Sequence, residues 1–207
     1  MSEERVSITV AGGATLEGVL SRDAQRHERG AVIAPPHPLY GGTLDNPVVV
    51  ALARALEQRG LATLRFNWRG VGGSSGVASG DLEPAVDDFT AAVDHLAEAG
   101  YEPAVAAGYS FGAATAVKVA LDSGGRSALA LVAPPLQMLG EVDVTRLTGR
   151  VSVVVADDDV FAPAADIEER LRPLSGATIT VAPASDHFFS RFGVDELVAT
   201  FLDAFRD

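Results

Sequence analysis

Cysteine is absent from the 207-residue chain. That excludes disulfides, thiolate metal sites and a cysteine nucleophile together. The lack is compatible with a reducing compartment, and the chain is expected to be cytoplasmic. Basic residues are scarce as well: 16 Lys and Arg stand against 28 Asp and Glu, a formal charge of −12. Such a surface repels phosphate backbones and anionic bilayers, so no nucleic-acid partner is expected. No apolar run reaches the ~20 residues of a membrane span. The start, Met1-Ser2-Glu3-Glu4-Arg5, lacks the basic and then apolar regions of a signal peptide, so no membrane association is expected. There is no fixed-period repeat and no linker-like stretch, which points to a single domain over residues 1–207.

What is present is an ordinary globular composition, 47% hydrophobic and 21% charged. A chain of this size buries enough surface to fold without a disulfide or metal. Strands and helices alternate along it. Val6 to Val10 and Leu16 to Leu20 read as a hairpin turning at Gly12-Gly13. Strands are expected at Ala31 to Ala34, Leu61 to Phe66, Ala104 to Tyr109, Ala128 to Ala133, Val151 to Ala156 and Ala177 to Val181. Helices are expected at Asn46 to Arg59, from an Asp81 cap to Ala99, at Phe111 to Leu121, from Pro163 to Leu171, and at Val194 to Phe205. Residues 70–80, rich in glycine and serine, can only be loop. The pattern predicts an α/β fold: about eight strands in a mostly parallel sheet, helices on both faces, and the first hairpin adding antiparallel strands at one edge.

Gly108-Tyr109-Ser110-Phe111-Gly112 joins an apolar strand to an alanine-rich helix. A G-x-S-x-G pattern in that context makes a tight strand-to-helix turn with the serine held out at the sheet edge, so Ser110 is the candidate nucleophile. A serine hydroxyl needs a base. Of the four histidines, His27 falls in a charged hairpin loop and His95 within a long helix. His187 follows the last strand, where catalysts gather in open α/β sheets, and is the candidate base. The base in turn needs a carboxylate to orient it. One of Asp157-Asp158-Asp159, directly after the buried strand Val151 to Ala156, would serve.

On these motifs the whole chain resembles the α/β-hydrolase superfamily. More narrowly it is similar to small bacterial serine hydrolases without a lid, of the carboxylesterase-like, dienelactone-hydrolase-related kind. Pro36-His37-Pro38-Leu39-Tyr40-Gly41-Gly42 resembles their His-Pro segment, Arg65 to Ser74 their Arg-Phe-Asn-x-Arg-Gly-x-Gly-x-Ser segment, and Ala133-Pro134-Pro135-Leu136 their turn after the sixth strand. Asp157 to Pro163 resembles a Gly-Asp-x-Asp-x-x-x-Pro signature whose acid lies four residues before the proline, which implies Asp159. Ala156 stands where that pattern has glycine, and Asp158 stays as the second candidate. The chain order Ser110, Asp159, His187 is the one this fold uses.

The resemblance further implies an oxyanion hole from the backbone amides of Leu39 and Phe111, and no cap domain, since Leu136 to Arg150 is too short to hold one. His37 is expected to pin its loop, and Arg69 to bond loop carbonyls. Residues 65–74 are not a phosphate loop, because they lack G-x-x-x-x-G-K-[ST]. The implied reaction is hydrolysis of small carboxylic esters through an acyl-enzyme, with no metal and no cofactor. Thioester or peptide hydrolysis by the same groups, or a non-catalytic binding role, are the alternatives. Tyr40, Leu136, Met138, Phe161 and Phe188 are the expected pocket, with Leu139 and Phe189 nearby. The acidic balance disfavours highly anionic substrates unless Arg69 or Arg191 offsets it. Two copies could pair as a homodimer through an edge strand or the last helix.

Overall fold

The computed structural model describes residues 2–22 and 28–205. His27 lies outside them. Eight strands form one sheet in the order β1-β2-β4-β3-β5-β6-β7-β8. The strands are β1 (Ser2–Thr9), β2 (Thr15–Arg22), β3 (Arg29–Ala34), β4 (Ala62–Phe66), β5 (Glu102–Tyr109), β6 (Ala128–Val132), β7 (Val151–Ala156) and β8 (Ala177–Ala182). β1 and β2 pair antiparallel through the expected hairpin, β2 joins β4 antiparallel, and every pairing from β4 through β8 is parallel.

Five α-helices connect them: α1 (Pro47–Gln58), α2 (Leu82–Glu98), α3 (Phe111–Asp122), α4 (Ala164–Leu171) and α5 (Val194–Ala204). The Asn46 side chain accepts from the Val48 N–H at 2.9 Å, capping α1 behind Pro47. Asp81 stands at the N-cap of α2 but makes no capping bond, because its carboxylate accepts from the Ser79 hydroxyl at 3.2 Å. Right-handed crossovers running in opposite directions along the sheet put α1 on one face and α2 and α3 on the other. α5 packs on α1 and α2 on α3.

β4 and β7 are buried along their whole length, and both are mainly apolar, with Thr63, Arg65 and Ser152 as the buried polar exceptions. β1 and β8 at the two edges are largely solvent-facing. The strand order reverses around β3, which sits between β4 and β5. That reversal opens a crevice at the carboxyl ends of β3 and β5, where ligands bind in open sheets. Between β6 and β7, residues 133–150 contain only two single 3-10 turns, Leu136–Leu139 and Val144–Arg146. Nothing there covers the crevice.

Residues 65–74 build the floor beside it. The Trp68 indole N–H is shared between the Pro36 and Pro35 carbonyls at 3.0 and 3.2 Å, and its ring meets Phe66 and Phe111 edge-on. The loop after β3 is thereby fixed to the first residue of α3. The Arg69 guanidinium donates to the Pro84 carbonyl at 3.0 Å and, through Nε, to the buried carboxylate of Asp88 at 2.8 Å. That pairing raises the Arg69 pKa and spends its charge inside the fold, so Arg69 is not the offsetting cation for an anionic substrate.

Candidate active site

The turn between β5 and α3 forces Ser110 into a left-handed conformation, φ 53° and ψ −119°. Few non-glycine residues adopt it, and it costs of order 1–3 kcal/mol. The turn closes only because its flanks are glycine. A Cβ on Gly108 would lie 2.4 Å from the Gly112 carbonyl carbon, and one on Gly112 2.4 Å from the Ala34 carbonyl oxygen. The Ser110 N–H donates to the Val132 carbonyl at 2.9 Å, tying the turn to β6. The other described non-glycine residues at positive φ, Ala133, Ala184 and Phe189, also lie past the carboxyl ends of strands.

Three side chains from three loops meet here. Ser110 Oγ lies 2.9 Å from His187 Nε2, and His187 Nδ1 lies 2.7 Å from Asp159 Oδ2. A carboxylate facing Nδ1 fixes that nitrogen as the N–H, leaving Nε2 as the acceptor of the Ser110 hydroxyl proton. Asp159 and His187 are both buried, at 5% and 7% exposure. Asp159 Oδ1 also accepts the Phe161 and Ala162 N–H groups at 2.9 and 2.8 Å, so the carboxylate is held on both sides. Its neighbours act differently. Asp158 is exposed, and only its backbone N–H is tied, to the Ser185 carbonyl at 3.0 Å. Asp157 accepts the Ala184 and Ser185 N–H groups at 2.7 and 2.8 Å and so anchors the loop that carries His187.

Asp186 anchors the far side of that loop, accepting from the Phe188 N–H at 3.1 Å and from the Ser190 hydroxyl. These bonds hold both carboxyls below the usual carboxylate range, Asp157 chiefly through Ser185 and Ala184 and Asp186 chiefly through Ser190. A lowered folded pKa stabilises above the ordinary value of about 4, and the contribution fades only as pH falls through the lowered one. Hydrogen exchange at the Ala184 and Ser185 amides should therefore stay slow from neutral pH to about pH 4. In Asp157→Ala it should be fast throughout. The Tyr109 hydroxyl donates to the His187 carbonyl at 2.8 Å from beneath. Burial, and then the nearby Asp159 and Asp186 charges, push its pKa well up, so it remains a donor.

At the oxyanion position the two expected amides differ. The Phe111 N–H, in the first turn of α3, has no acceptor among the described residues. The Leu39 N–H donates to His37 Nδ1 at 3.2 Å, within the 3-10 turn Pro38–Tyr40. His37 is thus the pin of its loop. Burial lowers its pKa, which keeps the ring neutral and Nδ1 an acceptor. The Leu39 N–H is therefore engaged, and an oxyanion would have to take it from His37.

Ser110 opens into a cavity of about 510 Å³ lined by Tyr40, Met138, Phe161 and Phe188, as expected, together with His37, Tyr109, Gln137 and others. None of its lining residues is Asp, Glu, Lys or Arg. Leu136 is not part of it: within its 3-10 turn the side chain is 5% exposed and packs into the core, as do Leu139 and Phe189. Tyr109 and Gln137 were missing from the expected pocket. Tyr109 had a signal, as the residue before the elbow serine, whereas nothing local marks Gln137. His95, on α2, lies far along the chain in a helix that contributes nothing to this cavity. Among the described residues no cluster of His, Asp and Glu could hold a metal, and no helix is long and apolar enough to cross a membrane.

An open eight-stranded sheet with an elbow serine facing a histidine defines an α/β serine hydrolase. Comparison with known proteins agrees. Residues 47–185 match the family described as serine aminopeptidase, S33, and the chain belongs to that family within the α/β-hydrolase superfamily. An α/β serine hydrolase homologue from Coxiella burnetii is 30% identical, with a TM-score of 0.88 over 100% of this chain and 99% of that one. A lid-less α/β serine hydrolase from Xanthomonas campestris shares the fold at 24% identity and a TM-score of 0.81, covering 99% and 94%. An uncharacterised protein of Rickettsia prowazekii is 27% identical over 192 residues, 87% of this chain and 80% of its own.

Proposed function

We propose that this hydrolase cleaves small carboxylic esters, with Ser110 as nucleophile, His187 as general base and then acid, and Asp159 as the residue that orients it. The observation that carries the reading is the hydrogen-bonded line from Ser110 Oγ through His187 to Asp159, ending at an uncharged, largely aromatic cavity. Ser110 attacks the acyl carbon as Nε2 takes its proton. The oxyanion accepts from Phe111 N–H and from Leu39 N–H, drawn off His37 because a charged oxygen is the stronger acceptor. Each such donor is worth about 3 kcal/mol. His187 then protonates the departing alcohol, and water attacks the acyl-enzyme by the same route.

The cavity favours an ester over an amino-terminal peptide. An aminopeptidase must hold a free ammonium, which needs a carboxylate close to the scissile bond. No lining residue supplies one, and the Asp159 oxygens are already taken by His187, Phe161 and Ala162. A panel of p-nitrophenyl esters of increasing acyl length, run beside aminoacyl p-nitroanilides, tests the reading. Turnover of the esters, with covalent labelling by a fluorophosphonate, is expected. Turnover of the anilides alone would replace it with the peptidase reading, and neither turnover nor labelling would favour a binding role.

A further inference from the structure

Three exposed aromatic rings line the cavity. Tyr40, 86% exposed, comes from the loop after β3, whereas Phe161 and Phe188, 52% and 65% exposed, stand beside His187. The backbones of these two are nonetheless pinned: the Phe161 N–H donates to Asp159 Oδ1 at 2.9 Å and the Phe188 N–H to Asp186 Oδ1 at 3.1 Å. Gln137 adds a bond from its side-chain amide to the Phe161 carbonyl at 2.6 Å. The two phenyl rings face each other at 6.3 Å and 72°, and both flank the His187 imidazole, at 5.0 and 5.5 Å between centroids. The two phenyl rings and the imidazole therefore form an uncharged aromatic recess, open to solvent, beside the residue that transfers the proton.

We infer that Phe161 and Phe188 form the subsite for the leaving alcohol and select an aromatic one; the inference rests on the ester reading above. The assignment to the alcohol side follows from the proton path. In acylation the Ser110 Oγ–carbon bond forms, the carbon–oxygen bond to the alcohol breaks, and the proton that Nε2 took from Ser110 passes to the alcohol oxygen. The leaving oxygen must therefore come within hydrogen-bond reach of Nε2. Its substituent then lies against the rings that flank the imidazole. The walls from the loops after β3 and β6, Tyr40 and Met138, are left for the acyl group. An aromatic substituent suits the recess because edge-to-face contact with two rings favours it over a saturated group of equal size.

Benzyl acetate and methyl phenylacetate are isomers that carry the phenyl ring on the alcohol and on the acyl side respectively. The protein should hydrolyse benzyl acetate with the higher kcat/KM, by about tenfold. Phe161→Ala and Phe188→Ala should each remove most of that preference, lowering kcat/KM for benzyl acetate several-fold more than for methyl phenylacetate. Both positions are exposed, so the variants should fold. A preference for methyl phenylacetate, or an equal loss on both isomers, would overturn the subsite while leaving ester hydrolysis intact. Failure of the unaltered protein to cleave either isomer or any p-nitrophenyl ester would instead remove the ester reading, and the subsite with it.

Discussion

Ser110→Ala should lower kcat/KM for any substrate the protein turns over by about 10⁵-fold, and it should abolish fluorophosphonate labelling. A factor of that size is about 7 kcal/mol of transition-state stabilisation. It exceeds the worth of the 2.9 Å hydrogen bond itself, because the bond matters only as the route by which Oγ loses its proton. Without Oγ no acyl-enzyme forms, and His187 and Asp159 have nothing to act on. For the same reason His187→Ala should cost nearly as much, and the double variant little more than either single one. The fold should tolerate the change. Alanine bears the same positive φ as serine, and the backbone bond from position 110 to Val132 is kept. Ser110→Gly should melt higher than Ser110→Ala, because glycine carries no penalty in that conformation. Retained labelling in Ser110→Ala would move the nucleophile elsewhere.

Asp159→Asn should cost about 10⁴-fold in kcat while leaving the structure in place. The side chain has two faces with fixed neighbours. Oδ1 accepts from the Phe161 and Ala162 amides and lies 2.9 Å from His187 Nδ1, while Oδ2 is nearer that nitrogen, at 2.7 Å, with His187 as its one partner among the described residues. In asparagine the oxygen must stay on the two backbone donors, so the NH₂ group turns toward His187. Nδ1 then has to accept, the ring proton moves to Nε2, and Nε2 can no longer take the serine proton. Asp158→Asn is the control. That side chain is exposed, and the substitution should change kcat by less than about twofold. Equal losses in the two variants would mean that the acidic run acts through its charge, not through a single placed oxygen.

Much of this arrangement is legible in the amino-acid sequence, for physical reasons. The strand-and-helix alternation is written in mainly apolar runs, which burial on both faces favours in the central strands. The elbow was legible because Gly108 and Gly112 admit no side chain at all. Asp159 was harder, since three carboxylates stand in a row. Its selection depends on which one turns inward after β7, and similarity to a longer signature supplied that. What escaped is of another kind. Leu136 and Phe161 are both apolar loop residues beside the site, yet one packs into the core and the other faces solvent. No periodicity governs a 3-10 turn or a loop, so the difference is tertiary. The Leu39 amide is taken up by a ring two residues back, and the Asp81 carboxylate by a serine two residues back. Both depend on rotamers that residue identity does not decide. The bond from Tyr109 to the His187 carbonyl spans 78 residues and joins the end of β5 to the loop after β8, with no local trace of each other.

That wide spacing has a consequence for the chain as it is synthesised. Ser110 precedes Asp159 by 49 positions and His187 by 77. At ~5–20 residues per second a ribosome holds the serine for several seconds before its base exists. Throughout that interval the hydroxyl is an ordinary alcohol, inert toward the acyl groups around it. With His187 as the proposed base, reactivity needs the loop after β8, at the far edge of the sheet, to be in place. On that assignment hydrolysis would report that the last strand has been completed.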